Sequence, residues 1–508
     1  LGETTADSAT GLAYDKQKEL AYVVENGKIY SWNQEQGFKQ ISYMPIYDAS
    51  WNRQRGFLLE GDLLAVQDNE QVYVRTVDPD LVTDQVLTIG GGNSWNEEIR
   101  AFQKVEPGIP LSFIEGGWNE IAQKMMLGDG EADLYYVQLS AGEYETLLEK
   151  NYVVDLSNSD ILVNAVNEMY PVVQEAVKKD GKLVAFPADL QISTMGYADA
   201  IGEEIGIDRP TTWEEVMEIY KQWEQQYGDE YSQYYLSEVS YNEEGGFSQQ
   251  MFSDAMMGYV FQQEATEGKI RFNTDAFRSL IQKYEEVKPY TDQIFDEENA
   301  RYYEGEGPFS LFNPYFEVTP RSYSGERGFT PLLLTVGEES QSFSKAFLSV
   351  YVINPHSSNQ EMAIKFLETI AQNLPRELSI SLNPKDNEPV VDEHMKEFMD
   401  EEKEQLEKLK AEEETIDESE KQNYEEMIKE KESFIKEVEE RSGMWVISPE
   451  QIAQYRAFDG QWTIMMKHPF SSPELYEVAL NYVHGGISSE EMISTLDSRI
   501  GMLELEGR

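Results

Sequence analysis

Apolar and polar positions alternate in short runs over roughly the first 80 residues, the period-two texture of β-strands. Leu20-Ala-Tyr-Val-Val24, Lys28-Ile-Tyr-Ser-Trp32, Phe57-Leu-Leu59 and Gln71-Val-Tyr-Val-Arg75 are rich in β-branched and aromatic residues. Asn26-Gly27, Gly61-Asp62 and Asp68-Asn69 separate them as turns, so a β-meander is expected. Asn26-Gly-Lys-Ile-Tyr30 returns as Asn69-Glu-Gln-Val-Tyr73, a spacing of 43 residues. That spacing matches the period of about 40–45 residues in propeller blades, yet two blades close no ring. Residues 1–82 are therefore either part of a propeller whose further blades precede Leu1, or a β-rich accessory domain with a chance internal likeness.

From Val86 the pattern alternates between strand and helix periods, which predicts an α/β fold with a parallel or mixed sheet. Strand Val86–Ile89 ends in Gly90-Gly-Gly92. Helix 96–105, strand 109–114, helix 118–127, strand 132–137 and helix 143–150 are expected in that order. Farther on, Thr211-Thr212-Trp213-Glu214-Glu215 has the Thr-x-x-Glu form of a capping box opening a helix over 212–227. Amphipathic helices are expected at 247–263 and 275–287, with a return to strands at 331–335 and 347–353.

Residues 392–441 are dense in Glu and Lys and contain neither Gly nor Pro. Met395, Phe398, Met399, Leu406 and Leu409 form one apolar stripe, and Tyr424, Met427, Ile428, Ile435 and Val438 another, which predicts an antiparallel helical hairpin. It is either a solvated surface insertion or a docking arm.

Composition narrows the function. The 508 residues carry a net charge of −54, which repels nucleic-acid phosphates and anionic lipid headgroups, so no nucleic-acid partner is expected. Cysteine is absent, which removes disulfides and thiolate chemistry, and the four histidines form no paired ligand motif. Neither a metal nor another cofactor is expected. No GxSxG elbow occurs, and Gly128-Asp-Gly-Glu-Ala-Asp133 lacks the ending of a phosphate loop. Carboxylates are too many for any pair to be singled out as an acid and base, so no catalytic residue is nominated. Aromatic residues at strand ends and in loops, Trp95, Tyr315, Trp445, Tyr455 and Trp462 among them, offer flat faces of the kind that pack against sugar C–H groups.

The order of several motifs resembles the bacterial extracellular solute-binding proteins of ABC importers, family 1, the maltodextrin-binding type. Leu87-Thr-Ile-Gly-Gly-Gly-Asn-Ser-Trp95 and Phe102-Gln-Lys-Val-Glu-Pro-Gly-Ile109 resemble the family's opening. Gly128–Val137 is similar to its G-x-x-P-D strand, with Ala132 in the proline's place. Gly181-Lys-Leu-Val-Ala-Phe-Pro187, Met195-Gly-Tyr197 and Pro210-Thr-Thr-Trp-Glu-Glu215 resemble its crossing from one lobe to the other. Glu304–Tyr315, Tyr351–Leu367 and Gly486–Ile493 continue the series, with Asn-Pro-Tyr315 where Gly-Pro-Trp is usual. Residues 1–80 and 392–441 lie outside the likeness.

The resemblance implies a two-lobed periplasmic-binding-protein-like fold with a hinge, to which the chain adds a small N-terminal all-β domain and the helical-hairpin insertion. Lobe 1 is expected at 83–188 and 328–372, and lobe 2 at 189–327 and 373–508. A non-enzymatic role follows: a monomer that closes on a sugar or oligosaccharide between its lobes and hands it to ABC transporter permease subunits, outside the cell. A lipid anchor is expected on a segment upstream of Leu1. Carried over motif by motif, the ligand contacts are Asn93, Trp95, Gln138, Ser140, Gln191, Glu238, Tyr241, Tyr315, Tyr455 and Asp459. Gln191 stands where maltodextrin binders carry a carboxylate, which points away from maltodextrin itself. A peptide or polyamine receptor of the same architecture, and an extracellular glycan hydrolase, are the competing readings.

Overall fold

The computed structural model describes residues 9–16, 18–25, 28–35, 37–43, 46–47, 55–58, 63–68, 71–76, 86–91, 101–102, 104–106, 109, 111–114, 121–127, 132–237, 246–289, 310–321, 328–337, 341–413, 418–440, 445–466 and 473–505. The chain forms two compact units. The first comprises Leu1–Leu190, Phe347–Pro375 and Ile464–His468; the second comprises Gln191–Ala346, Arg376–Thr463 and Pro469–Arg508. Residues 328–346 thus group with the second unit, and the chain re-enters the first at Phe347, inside the continuous strand Ser344–Ile353.

The first unit opens with the expected meander. Strands β1 (Ala9–Asp15), β2 (Leu20–Glu25), β3 (Lys28–Asn33) and β4 (Gly37–Tyr43) form one antiparallel sheet in sequence order. After the short β5 (Ile46–Tyr47), strands β6 (Arg55–Leu58), β7 (Leu63–Asp68) and β8 (Gln71–Thr76) form a second. Strands β2 and β3 recur as β7 and β8 with both ends of each displaced by 43 residues. Their tight hairpins pair equivalent residues, Glu25 with Lys28 and Asp68 with Gln71. Strands β1 and β4 escape a reading by alternation alone, because Gly11, Asp15, Gly37 and Gln40 interrupt it.

Beyond the meanders lies a mixed sheet built on β9 (Leu87–Gly90), β10 (Leu111–Ile114) and β11 (Leu134–Gln138). The order is β5-β10-β9-β11, all parallel, and β11 then pairs antiparallel with the 349–353 end of the strand Ser344–Ile353. Leu87, Ile89, Leu134 and Val137 are fully buried and anchor these strands in the core of the unit. Phe102 packs edge-on against Phe366 at 5.2 Å, and Tyr351 does so at 5.9 Å, pinning the helix Gln360–Gln372.

Asp133 is the buried polar centre of this unit. Its Oδ2 accepts the Thr88 backbone N–H at 2.8 Å, and its Oδ1 accepts the Ser357 hydroxyl at 2.5 Å and the Asn359 amide at 3.3 Å. The Asn354 side chain donates to the Ala132 carbonyl at 2.8 Å. The Gly-x-x-x-Ala-Asp133 and Asn354–Asn359 motifs therefore meet in one network that ties β9 and β11 to the following helix. Their role here is to satisfy buried polar groups.

In the second unit, the residues Gln191–Tyr197 of the strand Phe186–Tyr197 pair antiparallel with Ser310–Val318, Ile192 opposite Val318 and Tyr197 opposite Phe312. Tyr235–Ser237 adds a parallel edge. Helices supply much of its core. Trp213–Gln222 carries the expected capping box in full, Glu215 N–H to Thr212 Oγ1 at 3.1 Å and the Glu215 carboxylate back to Thr212 N–H at 3.2 Å. Phe247–Glu267 and Asp275–Val287 face each other through Phe252 and Tyr284 at 4.3 Å and Tyr259 and Phe277 at 4.9 Å. The expected strand at 331–335 is confined to Thr330–Pro331, although Leu332 N–H still donates to the Met195 carbonyl at 2.8 Å.

The acidic segment is a helical hairpin, Glu393–Glu413 and Glu418–Glu440. Met399, Leu406, Ile428 and Ile435 form its own core, with Met395, Leu409 and Val438 against them. Phe398 and Met427, expected in that core, face outward instead.

Candidate functional site

Alternation along Ser310–Val318 buries Phe312, Pro314, Phe316 and Val318 and turns Tyr315 outward, 59% exposed. The ring is held rather than loose. Its hydroxyl donates to Gln250 Oε1 at 3.3 Å, and the Gln250 amide donates to Asp254 Oδ1 at 3.0 Å. Gln250 and Asp254 lie one helical turn apart on Phe247–Glu267, the spacing that brings two side chains onto one face. Lys345, from the start of the strand Ser344–Ile353, completes the series by pairing with Asp254; the two side chains keep only 22% and 10% of their exposure. Burial, and behind it the Asp254 charge, hold the Tyr315 hydroxyl above the ordinary tyrosine range, and Tyr476 adds to the shift. Tyr476 is itself exposed on the helix Pro473–Val483.

This cluster presents an aromatic face, an amide and a neutralised carboxylate side by side. Such a set can stack on a C–H surface and bond neighbouring hydroxyls, and nothing in it is arranged as a nucleophile with a base. Asp254 is engaged by both Lys345 and Gln250. Among the described residues no group of three or more His, Asp or Glu is placed to hold a metal ion.

The first unit offers a smaller polar point at the C-terminal end of β11, the end of a parallel sheet at which ligands bind in open α/β folds. There Ser140 donates to Gln138 Oε1 at 3.1 Å. Beside it Gly91, the residue after β9, has φ +76°, and an added Cβ would stand 2.9 Å from the Tyr136 carbonyl oxygen, so glycine is required. Asn93 and Trp95, which come next in the sequence, lie outside the described residues, as do Glu238 and Tyr241.

The other expected contacts fall elsewhere. Gln191 is half-buried in the strand Phe186–Tyr197. Tyr455 is 1% exposed, a core residue whose hydroxyl donates to the Ser381 carbonyl at 3.3 Å. The next residue, Arg456, donates to the carbonyls of Ile380, Asn383 and Asp386 at 2.9, 2.9 and 2.7 Å and lies over the Tyr455 ring. The helix Pro449–Arg456 thus clamps the end of Arg376–Leu382, and its tyrosine offers no open face in this structure. Asp459 is exposed on the turn after that helix. Gln250, Asp254 and Lys345 went unpredicted: among 95 acidic residues, a Gln and Asp four apart carry no distinguishing signal.

Residues 87–373 match the family model described as bacterial extracellular solute-binding protein, more than half of the chain. The chain belongs to that family. Two solved structures share the fold of this solute-binding protein at 12% identity. One comes from work on xylan utilization by the thermophilic bacterium Caldanaerobius polysaccharolyticus, with a TM-score of 0.51 over 82% of this chain and 100% of that one. The other is the cyclic alpha-maltosyl-1,6-maltose binding protein of Arthrobacter globiformis, with a TM-score of 0.50 over 82% of this chain and 98% of that one. No curated protein matches the chain. The family's α/β periplasmic-binding class is the fold expected from the motifs, here with N-terminal β-meanders and a helical hairpin added. Among the described residues no helix is long and apolar enough to cross a membrane.

Proposed function

We propose that this solute-binding protein binds a sugar or oligosaccharide outside the cell without changing it covalently, and delivers it to the permease of an ABC importer. The observation that carries the reading is the exposed Tyr315 ring, fixed by Gln250, which Asp254 holds in turn. Gln138 and Ser140 are proposed as polar ligand contacts of the first unit. The two structural neighbours, one that binds a maltose-derived cyclic sugar and one connected with xylan utilization, support carbohydrate as the ligand class. A polyamine receptor fits this cluster less well, because Lys345 already occupies the Asp254 carboxylate that a ligand cation would need.

Calorimetry with maltodextrins and xylo-oligosaccharides, run beside spermidine, tests the proposal. Saturable heat is expected from an oligosaccharide. Tyr315→Ala removes the stacking face and should weaken that binding by about 1.5–3 kcal/mol, roughly ten- to a hundredfold. Heat from spermidine alone, or glycan cleavage during the titration, would refute it.

A further inference from the structure

We propose that the helical hairpin docks a positively charged amphipathic helix of a partner protein, on the face that carries Phe398, Met427 and Phe434. These side chains are 42%, 46% and 42% exposed, although the hairpin already closes its own core with Met399, Leu406, Ile428 and Ile435. They are surplus to folding. Phe398 and Phe434, from opposite helices, meet edge to face at 6.3 Å. Met427 lies seven residues before Phe434, two turns along the same face, so the three make one stripe across both helices. Between them Lys431 pairs with Glu402 and donates to Gln405 at 2.8 Å, so its charge is spent within the hairpin.

The occupant follows from charge. Each helix carries nine acidic and four basic residues, a net −10 for the pair. Exposed Glu430 stands one turn from both Met427 and Phe434, and exposed Glu401 one turn from Phe398. An apolar stripe edged by carboxylates is the complement of a helix with leucine-like residues on one face and Lys or Arg beside them. A second copy of this chain would bring another −10 against the first, and an anionic lipid surface is repelled in the same way.

The test uses the whole chain and two labelled helical peptides, one of Leu and Lys at amphipathic spacing and one of Leu and Glu in the same order. Anisotropy should show the Lys peptide binding at least about tenfold more tightly. The triple substitution Phe398→Ser, Met427→Ser and Phe434→Ser keeps every charge, so it separates docking from attraction to a chain of −54. It should weaken the Lys peptide about tenfold or more while leaving thermal unfolding in place. Glu401→Lys with Glu430→Lys should weaken it as well, and hydrogen-exchange protection should fall within 393–440. Equal binding to the triple variant and the parent would overturn the proposal. So would protection elsewhere, a dimer of the chain alone that the triple variant abolishes, or preferential binding to phosphatidylserine vesicles.

Discussion

Replacing Asp133 should cost more stability than any surface change in this chain. Its carboxylate holds three donors, the Thr88 backbone N–H, the Ser357 hydroxyl and the Asn359 amide. Asp133→Ala leaves all three facing a hole. Thr88 is the least able to adapt, since its N–H is fixed in β9 between the fully buried Leu87 and Ile89. One orphaned buried donor costs about 1–3 kcal/mol, and hydrogen bonds to a charged acceptor contribute about 1.5–3 kcal/mol each. Ser357 and Asn359 can turn to other partners, so a net loss of about 3–5 kcal/mol is expected for alanine. Asp133→Asn keeps the shape and one accepting oxygen for Thr88 but sets its own NH2 against that of Asn359; about half the loss is expected. Urea unfolding of both variants measures the total, and hydrogen exchange at 87–90 and 134–138 shows whether the loss sits in the first unit. Variants within about 0.5 kcal/mol of the parent would refute the assignment of Asp133 as the unit's polar centre.

Three further outcomes concern Asp155, Thr212 and Glu215. The Lys182 bond, with help from Ser157, lowers Asp155 to about 2, so its contribution is in place above the ordinary carboxylate value and is lost as pH falls through about 2. Lys182 is exposed and Asp155 only half-buried, so the effect on stability is small, but carboxyl NMR should place the midpoint near 2 and move it upward in Lys182→Met; an unmoved midpoint refutes the pairing. Thr212→Ala removes half of the capping box and should cost about 1 kcal/mol, read as faster exchange of the first-turn amides of Trp213–Gln222. The Glu215 carboxyl, lowered chiefly by the Thr211 N–H, should release the same turn as acid protonates it.

The fold was legible wherever local chemistry and tertiary packing agree. The helix Asp275–Val287 spans the residues its apolar period marks, and Thr212 with Glu215 signals a helix start that the structure makes. The family motifs were legible too, yet two of them, around Asp133 and around Asn354, encode a buried network rather than contact with a ligand. Tyr455 shows why a motif does not fix a side chain's face. Arg456 locks the helix end onto three carbonyls, and the tyrosine is buried with it. The Tyr315 cluster joins a strand, a helix and the start of a second strand far apart in sequence, so only the ring itself could be nominated beforehand.

The matching strand ends of the N-terminal meanders limit how this part of the gene can change. Adding or losing one residue inside β7 or β8 would turn the inward side chains of that strand outward. Gain or removal of a whole 43-residue stretch would keep the β2–β3 and β7–β8 hairpins in the same register. Length variation among close relatives should therefore come in multiples of that stretch, and a family of sequences in which it does not would mean that the two meanders arose separately.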